Sequence, residues 1–191
     1  MPNFAQFLAN AAEKGEAVNI LFEERLYDLV RVLHKITEAL TSEGIPHELI
    51  DGLAVLVHVE EADPKHSTLT RDVDLIVRED LERIKLAAAK NGFRFRHTAG
   101  VGMLLYGEGD SAENAASCVQ RQFRAEKKRI LGEEVLVIPV ADLLRMKLSA
   151  FRDKDRVHVR SMNAAGLITA GVEEKLPGEL RVRLQQVRVT E

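Results

Sequence analysis

The stretch Thr70-Arg71-Asp72-Val73-Asp74-Leu75-Ile76-Val77 constrains this chain more than any other. It ends in an apolar, β-branched run, which predicts a strand. Side chains alternate along a strand, so Asp72 and Asp74 share one face while Val73 and Leu75 point into a core. Two carboxylates side by side repel each other. They are tolerated where water solvates them or where a divalent cation sits between them. Mg²⁺ is the hard, oxygen-seeking ion that suits such a pair and a nucleotide's phosphates. The triplet alone favours the plainer reading, the wet face of an edge strand. The rest of the chain decides between the two.

The bulk properties narrow the function classes. With 191 residues the chain can build one sizeable core, or a core plus a small helical appendage. A formal net charge of −3 argues against nucleic-acid binding over the whole surface and leaves room for a local basic groove. Trp is absent and aromatics are few, so base-stacking platforms do not dominate. The single cysteine, Cys118, excludes an internal disulfide and a Cys-rich zinc site, and reads as a small apolar strand residue. Met1-Pro2-Asn3-Phe4 lacks a basic region followed by an apolar run, and no stretch approaches a membrane span. A cytoplasmic setting with no membrane contact is expected.

Along the chain, residues 3–15 predict a short helix ended by Gly15. Residues 19–43 predict a stronger one, with Leu26, Leu29, Val30, Leu33, Ile36, Ala39 and Leu40 at helical spacing. His47 to Ile50 reads as a short strand, Asp51-Gly52 as a turn, and 53–59 as a buried strand or a buried helix, which periodicity cannot separate. A polar loop spans 60–69. A helix is expected over 79–91, with Leu81, Ile84, Ala88 and Ala89 inward. Strands are expected at 93–97, 101–106, 117–123 and 134–140. Helices follow from 141 onward, at 155–166 and after Leu176-Pro177. Helices, a strand-rich middle and more helices suit an α+β domain with a helical C-terminal extension.

Four features are placed to cooperate. Gly52 sits in a tight turn, where backbone N–H groups can approach a phosphate, especially if a helix starts there. The Asp72/Asp74 pair is the second. Lys147, on the helix after the last strand, and the charged knot Arg152-Asp153-Lys154-Asp155 complete the set. Lysine and arginine both bind phosphate, Arg bidentately. Each also has a plainer reading: Lys147 as a solvated helix residue, the knot as a polar connection with Asp155 as a cap.

Three blocks occur in order: Asp51-Gly52-Leu53-Ala54-Val55, Thr70-Arg71-Asp72-Val73-Asp74, and Lys147-Leu148-Ser149-Ala150-Phe151-Arg152-Asp153-Lys154-Asp155. In this order they resemble the nucleotidyltransferase-fold superfamily, which includes polymerase-β-like and minimal nucleotidyltransferases, and within it the AbiEii-type toxin-like proteins of bacteria. The resemblance implies a mixed β-sheet flanked by helices, with N-terminal helices (1–18), a core (19–140) and a helical C-terminal extension packed on it (141–191). It implies Mg²⁺ (or Mn²⁺) held by Asp72 and Asp74 as catalytic and metal residues, and an NTP contacted at Gly52, Lys147 and Arg152. Transfer of a nucleoside monophosphate to an acceptor follows, with tRNA or a protein as candidate acceptors and an antitoxin as a candidate partner. His58 is expected to be structural, and His66 and His97 to lie at the surface.

The chain departs from the pattern in places. Asp51 stands where relatives carry Gly before the helix, Thr68 replaces a usual Arg, and the gap from Gly52 to Asp72 is long. A third carboxylate is expected from the strand 117–123, which offers Gln120 and Gln122, with Glu126 just beyond. His158 stands where many relatives have Asp, and reads as a helix residue bonded to nearby backbone. These departures keep a second reading open: a degraded member of the fold, retained as a nucleotide- or partner-binding module.

Overall fold

The computed structural model describes residues 4–68, 70, 72–78, 80–98, 101–106, 113–117 and 125–189; for 4–22, 97–98, 101–102 and 113–117 it describes the backbone only. The apolar positions at helical spacing form α1, Phe4–Ser42. Leu26, Leu29, Val30, Leu33, Ile36, Ala39 and Leu40 are all buried along one face, as expected. The two N-terminal helices predicted on either side of Gly15 are one. A lone interior glycine costs about 1 kcal/mol relative to alanine, too little to end a long helix. Gly44, at φ 65°, turns the chain out of α1 and into the core strand that follows.

That strand, β1 (His47–Ile50), is buried at all four positions because it lies between two neighbours. The main sheet runs β2-β1-β7-β6, where β2 is Asp74–Val77, β6 is Glu126–Ile130 and β7 is Glu133–Val137. β1 pairs antiparallel with β2 and parallel with β7, so the sheet is mixed. β6 and β7 form a hairpin across Leu131-Gly132, both at positive φ. A second, antiparallel sheet holds β3 (Phe93–Thr98), β4 (Val101–Tyr106) and β5 (Glu113–Ser117). The α+β architecture is as expected.

Between β1 and β2 the chain forms α2 (Asp51–Ala62), whose residues Gly52 to Val59 are buried without exception. The ambiguous run 53–59 is therefore a helix. α3 (Leu81–Lys90) starts at Asp80, whose carboxylate caps Glu82 N at 2.8 Å. Its inward face is Ile84, Ala87 and Ala88; Leu81 and Ala89, expected inside, are exposed. The C-terminal part comprises α4 (Val140–Ala150), α5 (Asp153–Ala164), α6 (Ala170–Glu174) and α7 (Gly178–Val189). α2 packs against both α4 and α5, which brings the start of the core to the C-terminal helices.

Candidate functional site

The strand register sets the site. Ile50, the last residue of β1, lies opposite Asp74, the first of β2. Ile50 is also the residue preceding α2, so Asp74 stands at the N-terminus of that helix. Ile50 has an extended backbone and offers no side-chain cap to the first turn. The first-turn N–H groups of a helix lack intrahelical partners and carry partial positive charge, which favours an anion there. Asp72 and Asp74 are both part exposed, while Val73 and Leu75 are buried, at 1% and 0%. The predicted alternation holds, although the strand proper begins only at Asp74 and Asp72 lies just ahead of it.

Gly52 is required for a close approach. A Cβ built there would lie 2.8 Å from Thr70 Cβ and 3.2 Å from His158 Cε1, with Thr70 Oγ1 nearer still. The segment leading to Asp72 thus sits directly on the first turn of α2. Gly52→Ala would push Thr70 away and shift the aspartates with it. Such overpacking is expected to cost about 1–3 kcal/mol, read as a lower urea midpoint at unchanged slope.

Lys147, on α4, is buried rather than solvated. Its Nζ donates to Asp51 Oδ1 and, at 3.1 Å, to Asp155 Oδ1. Burial pushes its pKa down to about 8 against the opposing pull of Asp155, so the ammonium remains the main form at neutral pH. Arg152 precedes α5. Its Nε donates to Asp155 Oδ2 at 2.7 Å, and its Nη2 lies 3.2 Å from Asp155 Oδ1 and 3.7 Å from Asp51 Oδ2. Asp155 holds the Arg152 pKa up, and the charge of Asp74 adds to this, so Arg152 links the knot to the aspartate pair. Asp155 is fully buried and also accepts from Arg152 N at 3.1 Å, the capping role expected of it. Its own pKa is held below the usual carboxylate value. Burial opposes this, but the hydrogen bonds from Arg152 and the Lys147 charge outweigh it.

The turn between α4 and α5 is held from outside. Phe151 takes a left-handed φ of 52° to end α4. Arg183 of α7 donates to the Leu148 and Ser149 carbonyls at 2.7 and 2.9 Å, and lies over the Phe151 ring with Arg156 on it too. These contacts keep Lys147, Arg152 and Asp155 together.

Asp51, Asp155 and His158 bring ligand atoms within 4.8 Å of one another, the one such group among the described residues. The position between the two carboxylates is already filled by the Lys147 ammonium. Two carboxylates and two cations balance, so a dication added there would leave an uncompensated charge of two inside the protein. Asp72 and Asp74, part exposed, are not members of this group.

The structure brings together Gly52, Asp51, Thr70, Lys147, Arg152 and His158, with Asp74 within electrostatic reach of Arg152. His158 differs from its expected role. It is buried against Gly52, and its Nδ1 has no hydrogen-bond partner among the described residues. Burial, followed by the Lys147 charge, pushes its pKa down to about 4. His58 is structural, as expected: buried, with Nε2 donating to Ile138 O at 2.8 Å. His66 is exposed. Of the strand expected at 117–123, Ser117 ends β5, while 118–123, with Cys118, Gln120 and Gln122, and the His97 side chain lie outside the described residues. Glu126 is described and exposed. It pairs with Val137, which pairs with Leu49, which pairs with Leu75. Three strand spacings separate the backbones of Glu126 and Leu75, about 14 Å. Glu126 therefore does not join Asp74 around one ion.

No family profile matches the sequence, and no curated protein matches it. Solved structures do. The solution structure of the antibiotic-resistance factor ANT(2'')-Ia superposes with a TM-score of 0.56 at 17% identity, covering 84% of this chain and 93% of that one. An antigenic nucleotidyltransferase-like protein from Paracoccidioides brasiliensis gives 0.56 at 17% identity, covering 88% and 89%. The fold is that of the nucleotidyltransferases. The crystal structure of ANT(2'')-Ia in complex with adenylyl-2''-tobramycin gives 0.53 at 14% identity, covering 84% and 97%. Within this nucleotidyltransferase fold, no helix among the described residues is long and apolar enough to cross a membrane.

Proposed function

We propose that this chain is a metal-dependent nucleotidyltransferase that moves a nucleoside monophosphate from an NTP to an acceptor hydroxyl. The pairing of Ile50 with Asp74 carries the reading, because it sets Asp74 beside the N-terminus of α2, to which Ile50 offers no side-chain cap. Asp72 and Asp74 would hold Mg²⁺, or Mn²⁺ in its place; when bound, the ion supplies charge neutralisation at the phosphates. The backbone at Gly52 receives the polyphosphate against the α2 N-terminus. Arg152, with 54% of its side chain exposed, reaches outward to phosphate oxygens. Lys147 is too buried for easy direct contact and acts by holding Asp51 and Asp155 in position. In the transfer, the acceptor hydroxyl loses its proton to solvent, its oxygen bonds to the α-phosphorus, and the bond from that phosphorus to the α–β bridging oxygen breaks, releasing pyrophosphate. Such chemistry is mostly positioning and charge stabilisation, so few side chains suffice.

The likeness to ANT(2'')-Ia, described with an adenylylated product, supports transfer rather than hydrolysis. The finer reading, an AbiEii-type toxin countered by an antitoxin, rests on the sequence blocks; its mark is growth arrest on expression, relieved by a partner protein. The test of transfer is incubation with NTPs labelled at the α-phosphate and a cell extract supplying RNA and protein acceptors. Label is expected on one acceptor class with wild type and on none with Asp72→Asn. Label-free acceptors in the presence of tight nucleotide binding would instead mark a binding module.

A further inference from the structure

We propose that Asp51 sets the affinity for the nucleotide's polyphosphate, because its own carboxylate faces the Arg152 guanidinium at the α2 N-terminus that a phosphate would otherwise take. This rests on the reading of that helix end as the phosphate site. Lys147 and Arg152 are the cations nearest that end in the knot, and both already face carboxylates. The two carboxylates are not equivalent. Asp155 is fully buried, is the third residue of α5 and accepts from the Arg152 backbone, so it is fixed in place. Asp51 is the first residue of α2, keeps 21% of its side chain exposed, and sits at φ 56°, a conformation rarely adopted by residues other than glycine and asparagine or aspartate. Of the two carboxylates that face Lys147, it is the one at the rim.

A polyphosphate approaching the first turn of α2 therefore meets a negative charge where the helix end alone would attract it. Two effects add. Asp51 repels the incoming anion, and it holds the Arg152 guanidinium and the Lys147 ammonium in an internally neutral set. Binding requires the Asp51 carboxylate to swing outward while a phosphate takes its place on Arg152. Lys147 keeps Asp155 as its partner throughout, at 3.1 Å, so the exchange does not strand a buried charge.

Calorimetric titration with inorganic tripolyphosphate, and separately with Mg·ATP, tests this on wild type, Asp51→Asn and Asp51→Gly. Both replacements tolerate the backbone conformation. Each is expected to bind both probes more tightly, on the order of tenfold. Should either lower the thermal midpoint, the rise in midpoint on adding tripolyphosphate reads the same affinity in the folded fraction. Unchanged or weaker binding by both variants, with wild type binding Mg·ATP in an Asp72- and Asp74-dependent way, overturns the inference and leaves the proposed function standing. No binding of either probe by any of the three proteins overturns both.

Discussion

Asp155→Ala is expected to destabilise the protein by about 3–5 kcal/mol at neutral pH. The carboxylate is fully buried and takes three hydrogen bonds from Arg152 and one from Lys147. Its removal leaves the Lys147 ammonium, 3% exposed, with Asp51 alone. It also strips the N-terminus of α5 of its capping acceptor. An isolated buried charge is far costlier than a satisfied pair is favourable, which is why removal of one partner exceeds what the pair contributes. The double variant Lys147→Met/Asp155→Leu removes both charges and is expected to lose less than the sum of the single changes. Urea unfolding of the wild type, Lys147→Met, Asp155→Leu and the double variant measures this coupling. Additive losses would mean that Lys147 and Asp155 do not act as a pair.

The second large effect is acid destabilisation through His158. Its folded pKa of about 4 lies below the ordinary histidine value of 6.5. The unfolded chain therefore binds the proton first as pH falls, so stability is complete above pH 6.5 and drops as pH falls from 6.5 to 4. The loss is about 2–3 kcal/mol. His47 and His58 are also lowered by burial and act with the same sign. His158→Gln is expected to remove most of the His158 share, so that its unfolding midpoint is flatter with pH than that of the wild type. Because the Lys147 charge contributes to the shift, Lys147→Met should raise the His158 pKa, visible in the imidazole resonances. A wild type equally stable at pH 7 and pH 4.5 would contradict the buried, neutral assignment.

Much of the fold could be read from the sequence because it rests on local signals. The buried face of α1 follows from apolar residues three and four apart, and β2 follows from an apolar, β-branched run next to a polar loop. Other parts carried no such signal. α2 is buried all round, so it lacks the polar face that would distinguish a helix from a strand. β6 is a mostly polar edge strand, Glu-Lys-Lys-Arg-Ile, with one buried residue, and was not anticipated. α3 turns Ile84, Ala87 and Ala88 inward and leaves Leu81 and Ala89 out, a choice made by its packing against α1 and β3.

The site divides in the same way. The three motif blocks are visible as sequence, and the structure brings Thr70 against Gly52 and Lys147 and Arg152 against Asp51. What composition and spacing could not supply was the partnership of Asp51 with Lys147, separated by 96 positions. As sequence, Asp51 was only a negative charge in an unfavourable place. In the fold it is compensated by a buried ammonium and a nearby guanidinium. The burial of His158 against Gly52 was likewise invisible, because one histidine on a charged helix carries no periodic signal. Thr70 and Gly52 are neighbours only because β1 and β2 pair in one register.

The most direct measurement is calorimetric titration of the wild-type protein and the Asp72→Asn/Asp74→Asn double variant with each NTP, with and without Mg²⁺. Both substitutions keep the side-chain shape and remove charge from part-exposed positions, so the fold is expected to survive, as a matching thermal midpoint would verify. The account predicts Mg²⁺-dependent binding of at least one NTP by the wild type and its loss in the double variant. Equal binding by the two proteins would contradict the assignment of the aspartate pair as the metal and nucleotide site.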